Sequence, residues 1–289
     1  KKEDVKSYWK NYTSKALNKQ DFYGLKLVDQ NDIYSITPDP ELMNMGKVRT
    51  EALEDSLHIV NTIRYATGLN EVALGFDQNS YAQAASFINR LNLSVSHTPI
   101  IPDGIDSNLY NSGYYGAENS NLAAGFGMLD SIIEYLKDDL GEKNQLEAGH
   151  RRWLLNPSAN LVGFGQVEEF NAMFVNNNDY MGENANEVIA YPSEVAITEF
   201  HSSNSPLSIQ LGENFNIDKA NVEVINLRTG DFNNSIQIDN SFLGNSKAII
   251  FGWNMDFKDG DKLSVKVKGV TKDGEEYPIN YTIECISIR

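Results

Sequence analysis

The chain has 289 residues, of which 41% are hydrophobic, a composition that supports folding and argues against disorder. Its formal net charge of −16 at pH 7 repels nucleic acids and anionic membranes, so we predict no nucleic-acid partner. The single cysteine, Cys285, rules out an internal disulfide and a cysteine-rich zinc finger. No apolar run approaches the roughly 20 residues that cross a bilayer, so we predict no transmembrane segment.

The N-terminal part of the chain is polar and contains the helix breaker Pro38-Asp39-Pro40. We predict an N-terminal arm over residues 1–50 that includes one short helix. The chain opens with charged residues and has neither an initiator Met nor a hydrophobic signal core, which is consistent with removal of a signal peptide.

Three amphipathic helices are predicted after residue 50. The first begins at Glu51 and ends at the C-cap Gly68, the second opens at Asn79-Ser80, and the third covers residues 121–139. Residues 94–120 are predicted to form a loop because they are rich in Ser, Pro, Gly, Asn and Tyr. The apolar stripes of the three helices are Leu53, Leu57, Val60 and Ile63; Tyr81, Ala85, Ile88 and Leu91; and Leu122, Phe126, Leu129, Ile133 and Leu136.

Strand patterns follow the helices and dominate the C-terminal part of the chain. We predict strands over L-V-G-F-G-Q-V, Ala172 to Val175 and Val188 to Ala190. Beyond Pro192, short β-rich runs alternate with turn dipeptides, which favours a small Ig-like antiparallel β-sandwich over residues 195–289. The predicted fold class is therefore α+β, with an all-β domain at the C-terminus. The turn dipeptides are Thr229-Gly230, Asp259-Gly260 and Asp273-Gly274.

Four polar residues in separate segments are candidates for a divalent-metal or acid–base site: His97, Glu118, Asp139 and His150. On a helical wheel Asp139 lies at the edge of the apolar stripe, whereas Asp138 and Glu134 lie on the opposite, solvated side. Each candidate also has a structural interpretation, such as a hydrogen-bonded histidine for His150 or a helix N-terminal carboxylate for Glu118.

The segments S-H-T-P, A-E-N-S, L-K-D-D and G-H-R-R-W-L-L-N-P, followed by V-G-F-G, occur in the order found in the CAP superfamily. That family comprises cysteine-rich secretory proteins, antigen 5 and plant pathogenesis-related proteins, and the G-H-R form resembles its bacterial SCP-like extracellular members. The resemblance covers residues 51–192 and implies an α-β-α sandwich in an extracellular protein. Alanine replaces glycine in the Gly-Glu-Asn motif, and the tryptophan of the Trp-x-x-Glu motif is absent.

The resemblance also implies a cleft lined by His97, Glu118, Asp139 and His150, in which the two histidines hold zinc or another divalent ion. Zinc with two imidazole ligands leaves positions open for water or a partner group. The implied ligand is an unidentified small molecule, lipid or protein, and the resemblance favours a binding protein over an enzyme.

Two alternatives stay open. The first is a metal-dependent hydrolase, either a protease or a cell-wall hydrolase, in which Glu118 or Asp139 is the general base. The chain contains no H-E-x-x-H helix and no G-x-S-x-G elbow to support it. The second is an adhesion protein that acts through its β domain.

Overall fold

The computed structural model describes residues 1–176 and 188–289. Within those ranges, seven α-helices, α1 to α7, span Lys2–Lys10, Thr50–Thr67, Phe76–Leu91, Ser107–Glu118, Met128–Lys137, Glu142–Glu147 and Gly149–Leu154. The mixture of helices and strands confirms the α+β class. None of these helices is both long and apolar enough to cross a membrane.

Twenty strands, β1 to β20, occur in the same described ranges. They span Lys19–Phe22, Leu25–Val28, Tyr34–Ile36, Lys47–Val48, Ala73–Leu74, Ser120–Ala124, Leu161–Val167, Phe170–Phe174, Val188–Tyr191, Val195–Ile197, Leu207–Leu211, Phe215–Asn216, Asn221–Asn226, Phe232–Asn233, Ile236–Asp239, Lys247–Phe251, Lys262–Lys268, Thr271–Lys272, Glu275–Glu276 and Ile279–Ile286. The strands predicted over L-V-G-F-G-Q-V, Ala172 to Val175 and Val188 to Ala190 correspond to β7, β8 and β9.

A four-stranded sheet in the order β5-β7-β8-β6 forms the middle layer of the helical region. Its pairs are antiparallel except for β5–β7. Alternate strand residues face opposite sides. Phe164 and Met173 join the core cluster that contains residues of α2 and α5. Ala172 and Phe174 pack with alanines of α3 and α4. Helices therefore cover both faces of the sheet, which gives an α-β-α layering.

Two glycines of β7 allow helix α3 to lie directly against the sheet. A Cβ added at Gly163 would lie 2.1 Å from the carbonyl carbon of Gln78, and one at Gly165 would lie 2.3 Å from that of Ala82. Both neighbours are backbone atoms, so they cannot move aside as a flexible side chain would. The V-G-F-G segment is therefore a packing surface for α3.

Helix α4 was not predicted, because its sequence S-N-L-Y-N-S-G-Y-Y-G-A-E is poor in strong helix formers. Asp106 caps it by accepting hydrogen bonds from the backbone N–H groups of the second and third helical residues. Its glycines face α3: a Cβ at Gly116 would lie 2.1 Å from the Tyr81 carbonyl oxygen, and one at Gly113 would lie 2.8 Å from that of Ala84. Close packing stabilises a helix that local propensity disfavours.

The predicted bounds of the second and third helices were wrong. The second begins at Phe76, and Asn79, which was expected to open it, accepts a 2.9 Å hydrogen bond from the Phe164 backbone N–H. The third covers only Met128–Lys137, since residues 120–124 form β6. Gly125, with φ at +88°, lies between that strand and the helix. The first predicted helix ends at Gly68, which has the left-handed conformation expected of a C-cap.

The N-terminal arm contains the predicted short helix, α1, and also two small hairpins, β1–β2 and β3–β4. Trp9 is fully buried and belongs to the largest core cluster. Asp55 of α2 fixes the arm by accepting hydrogen bonds from the Tyr12 and Ser14 hydroxyls and from the backbone N–H of Val28. The arm therefore packs as part of the fold.

The C-terminal region contains two larger sheets, in the orders β10-β20-β17-β13-β14 and β15-β16-β11-β9. Apolar residues of both sheets, among them Ile209, Phe251, Val224 and Val265, form one core cluster. Gly230, Gly260 and Gly274 adopt positive φ at the predicted turns. The pairing is not wholly antiparallel, since β10 and β20 run parallel. The Ig-like assignment stays a prediction.

The strands on either side of residue 192 link the two regions. Strand β9, which precedes the predicted domain boundary, pairs with β11 in the second of these sheets. Phe200 and Ile288, which follow the boundary, belong to the core cluster that contains Trp9. The division into residues 1–50, 51–192 and 195–289 stays a prediction.

Candidate functional site

A cleft of about 230 Å³ lies at one end of the middle sheet. Three of the four predicted site residues, His97, Glu118 and His150, line it. The cleft is also lined by six other polar residues: Asn119, Ser120, Lys143, Asn144, Glu147 and Asn176. Gly149, Trp153, Val175 and Leu243 form the rest of its wall. The structure thus brings together three predicted site residues that are up to 53 positions apart in the chain.

His97 lies in the loop between α3 and α4 and is exposed. Its Nδ1 is 2.8 Å from the carbonyl oxygen of Ala117, so Nδ1–H donates to that oxygen. The Tyr110 hydroxyl donates a 3.0 Å hydrogen bond to the Pro99 carbonyl and ties the loop to α4. These contacts orient the ring and leave its Nε2 as an acceptor in the neutral form.

His150 is the second residue of the short helix α7. Its Nδ1 lies 2.7 Å from Oδ1 of Asp138, whose side chain is fully buried, and the other carboxylate oxygen accepts a 3.0 Å hydrogen bond from the Arg151 backbone N–H. The His150 side chain is 24% exposed, so it can still be reached from the cleft. The carboxylate fixes the ring orientation and leaves Nε2 as the ring nitrogen that can act as a ligand or base.

The structure places Asp139, the fourth predicted site residue, away from the cleft. Asp139 accepts hydrogen bonds from the hydroxyls of Ser202 and Ser205 and does not line the cleft. Asp138, which the helical wheel placed in solvent, is the carboxylate that contacts His150. The wheel failed because α5 ends at Lys137 and Asp138 has a left-handed backbone, with φ at 52°, so helical angles do not extend beyond residue 137.

Glu118 is the last residue of α4, and its exposed side chain lies on the cleft wall. The alternative interpretation was that the Glu118 carboxylate stabilises a helix N-terminus. Glu118 lies instead at the C-terminus of α4, which excludes that interpretation. The neighbouring Asn119 connects the wall to β8, since its carbonyl oxygen accepts hydrogen bonds from the backbone N–H groups of Val175 and Asn176. The carboxylate can therefore contact a ligand or a cation in the cleft.

Two consecutive arginines behind His150 are fully buried, which sequence reasoning missed. The Arg151 guanidinium donates to the carbonyls of Leu136, Lys137 and Pro206. Arg152 forms an ion pair of 2.6 Å with Asp239 and donates to the Ser241 and Ser246 carbonyls. Both side chains therefore connect helix α7 to the C-terminal β region. The available signal in the sequence was the pair of arginines next to an apolar run. Arginines buried with such a run must donate hydrogen bonds to several acceptors.

The C-terminal region also supplies one cleft residue, Leu243. A Cβ added at Gly149 would meet only the Leu243 Cδ1, at the ordinary contact distance of 3.7 Å. Close backbone packing therefore does not require a glycine at this position. Trp153 is partly exposed on the cleft wall, whereas Leu154 and Leu155 are buried in the core. The β region is thus part of the cleft and not only a neighbour.

The other two histidines lie outside the cleft. His58 is buried against the rings of Trp9 and Tyr12, and its Nε2 donates to the Trp9 carbonyl at 3.2 Å. His201 stacks on Phe257 with ring centroids 4.0 Å apart. Burial lowers the pKa of each ring to about 4. Both rings are therefore neutral in the folded protein at pH 7.

No group of three or more His, Cys, Asp or Glu side chains with metal-site geometry occurs within residues 1–176 and 188–289. The cleft does offer two imidazoles whose Nδ1 atoms are already committed, one to a carbonyl and one to a carboxylate. That pattern is typical of histidine metal ligands, whose second nitrogen is hydrogen-bonded to such acceptors.

Comparisons with known proteins returned one partial likeness. The chain is similar to the crystal structure of an extracellular protein containing an SCP domain from Bacillus anthracis, with 17% sequence identity and a TM-score of 0.32. The likeness covers 46% of this chain and 45% of that protein, so the chain spans less than half of its length. No family model and no curated protein matches the sequence.

Proposed function

We propose that this protein is an extracellular CAP-like binding protein whose cleft holds a divalent cation through Nε2 of His97 and His150. The proposal is supported by one observation above all: both rings have their Nδ1 atoms fixed, by Ala117 O and by Asp138, and both border the same cleft. A ring held in this way presents its remaining nitrogen in one tautomer, as metal ligands do.

The polar groups of the cleft fit such a cation. Imidazole nitrogens are suitable zinc ligands, and the Glu118 carboxylate borders the same space. With two histidine ligands, the cation would keep positions for water or for a group of the bound partner, and it would supply positive charge to an otherwise polar cleft. Leu243 and Trp153 give that partner apolar surface next to the polar groups.

Zinc calorimetry on the intact chain tests this proposal. We expect one zinc per chain for the wild type, loss of that binding in His97→Ala and His150→Ala, and about 10–100-fold weaker binding in Asp138→Asn, which removes the carboxylate behind His150. His201→Gln is the matched control, because it removes a histidine that lies outside the cleft. Binding that is absent from the wild type, or unchanged in both cleft variants, would refute the proposal.

A hydrolase is the second candidate, and the contact between buried Asp138 and His150 favours it. A carboxylate that orients an imidazole is the arrangement of a general base, and Glu118 provides a second acid–base group in the same cleft. Peptide and muropeptide substrates should then be cleaved by the wild type and spared by His150→Gln. Loss of turnover in Glu118→Gln would assign Glu118 as the second acid–base group. Turnover that survives both substitutions would exclude this cleft as the active site.

A further inference from the structure

The loop that joins β15 to β16, residues 240–246, is wrapped around Arg152 of helix α7. The Arg152 guanidinium donates hydrogen bonds to the carbonyls of Ser241 and Ser246, which lie near the two ends of the loop. Between them lies Gly244, where an added Cβ would be 2.2 Å from the Arg152 carbonyl oxygen. Only a glycine allows so close an approach of the loop to the helix backbone. The β15–β16 loop is therefore fixed on the helix that carries one of the two cleft histidines.

This arrangement holds Leu243, the neighbour of Gly244, on the cleft wall. The Leu243 Cδ1 would be 3.7 Å from a Cβ added at Gly149, the residue that precedes His150. Leu243 is half-buried, so part of its side chain can contact a molecule in the cleft. The adjacent Phe242 is 45% exposed and does not line the cleft. Leu243 is thus the residue through which this loop can contact a ligand bound beside His150.

The wall next to Leu243 is also apolar. A Cβ added at Gly244 would be 3.0 Å from the backbone nitrogen of Trp153, so Trp153 and Leu243 occupy neighbouring parts of the wall. His150 and Trp153 are three positions apart on α7, a spacing that places two side chains on one face of a helix. An alkyl or aromatic group beside this wall would be removed from water, which is favourable. A charged or hydroxylated group there would lose hydration without gaining a hydrogen bond from Leu243.

We propose that Leu243 is a specificity-determining residue of the cleft. It selects ligands that carry an alkyl or aromatic group next to the polar group that contacts the cation. The inference rests on the proposed cation site at His97 and His150 and adds the chemical class of the ligand. It also gives the C-terminal region a part in ligand choice, because Leu243 belongs to that region and Arg152 holds its loop in place.

Two hydroxamates that differ only in their alkyl chain test this selectivity on the intact, zinc-loaded protein. Acetohydroxamate and hexanohydroxamate carry the same bidentate chelating group, which fits the two positions that zinc with two histidine ligands keeps open. By calorimetry, the wild type should bind hexanohydroxamate at least about tenfold more tightly than acetohydroxamate. Leu243→Ala should weaken hexanohydroxamate binding by about tenfold and leave acetohydroxamate binding unchanged. Phe242→Ala is the matched control, and it should behave as the wild type does.

The outcomes separate this inference from the proposal on which it rests. A wild type that binds no zinc would overturn both. A wild type that binds zinc but binds the two hydroxamates equally, or a Leu243→Ala variant that keeps the full preference, would overturn the role of Leu243 alone. A crystal structure of the wild type with zinc and hexanohydroxamate should place the alkyl chain within about 4.5 Å of the Leu243 side chain. A chain that lies against the polar wall at Asn119 and Asn144 would overturn it as well.

Discussion

Acid should destabilise the folded protein through its two buried histidines, and His58 provides the clearest case. Its ring lies among the aromatic side chains of Tyr8, Trp9 and Tyr12, and burial lowers its pKa from 6.5 to about 4, against smaller raising effects of the Trp9 carbonyl and Glu71. Above pH 6.5 the ring is neutral in both states. Between pH 6.5 and 4 the His58 ring is protonated in the unfolded chain but stays neutral in the folded chain. The free energy of unfolding therefore falls as the pH falls.

The size of this effect follows from the two pKa values. A difference of about 2.5 pH units corresponds to about 3 kcal/mol, of which about 2.5 kcal/mol is lost by pH 4.5. His201, whose pKa is also lowered to about 4 by burial, should contribute a similar loss. Against a typical total stability of about 5–15 kcal/mol, the two together bring the protein close to acid unfolding.

The matched variant is His58→Phe, which keeps an aromatic ring in the stack and cannot be protonated. Urea unfolding at pH 7.5 and 4.5 should show that the wild type loses about 2.5 kcal/mol more than His58→Phe between the two pH values. The subtraction removes the contribution of the carboxylates, which is common to both proteins. Equal losses in the two proteins would show that the buried ring is already protonated in the folded state, and the reasoning would be refuted.

Four further substitutions test, by urea unfolding, the contacts behind the cleft and the packing of α3 on the sheet. Asp138→Asn should lower the unfolding free energy by about 2 kcal/mol, because an amide in its place cannot accept from both His150 and the Arg151 N–H; a variant as stable as the wild type would contradict this. Arg152→Met should cost about 3–5 kcal/mol, since it leaves the Asp239 carboxylate unpaired, and a cost under 1 kcal/mol would show that the pair contributes little. Gly163→Ala should cost about 3 kcal/mol through its clash with α3, whereas Gly149→Ala, whose Cβ would make only an ordinary contact with Leu243, should be neutral; equal costs would refute the packing argument.

Sequence periodicity predicted the elements whose local and tertiary preferences agree. Helix α2 carries its apolar residues at helical spacing and ends at a glycine C-cap, and it was predicted to within one residue. The β-rich runs after Pro192 all became strands for the same reason. Helix α4 could not be found in this way, because its glycines disfavour a helix until they meet α3. Leu122 had helical spacing by coincidence and belongs to a strand.

The candidate site residues stay a prediction, and the structure places one of the four away from the cleft for a specific reason. The ordered motifs pointed to His97, Glu118 and His150, and the structure places all three on one cleft. The choice between Asp138 and Asp139 depended on where α5 ends and on the left-handed backbone at Asp138, which no periodicity argument shows. The roles of Arg151, Arg152 and Leu243 could not be predicted from the sequence, because their contacts between helix α7 and the C-terminal region join residues 55 to 94 positions apart.

The position of a bound cation tests the central claim most directly. Crystals of the wild type soaked in zinc and measured at the zinc absorption edge should show an anomalous peak about 2.0–2.1 Å from Nε2 of both His97 and His150. A peak that contacts only one of these rings, or zinc bound only outside the cleft, would contradict the proposal that the two histidines hold one ion.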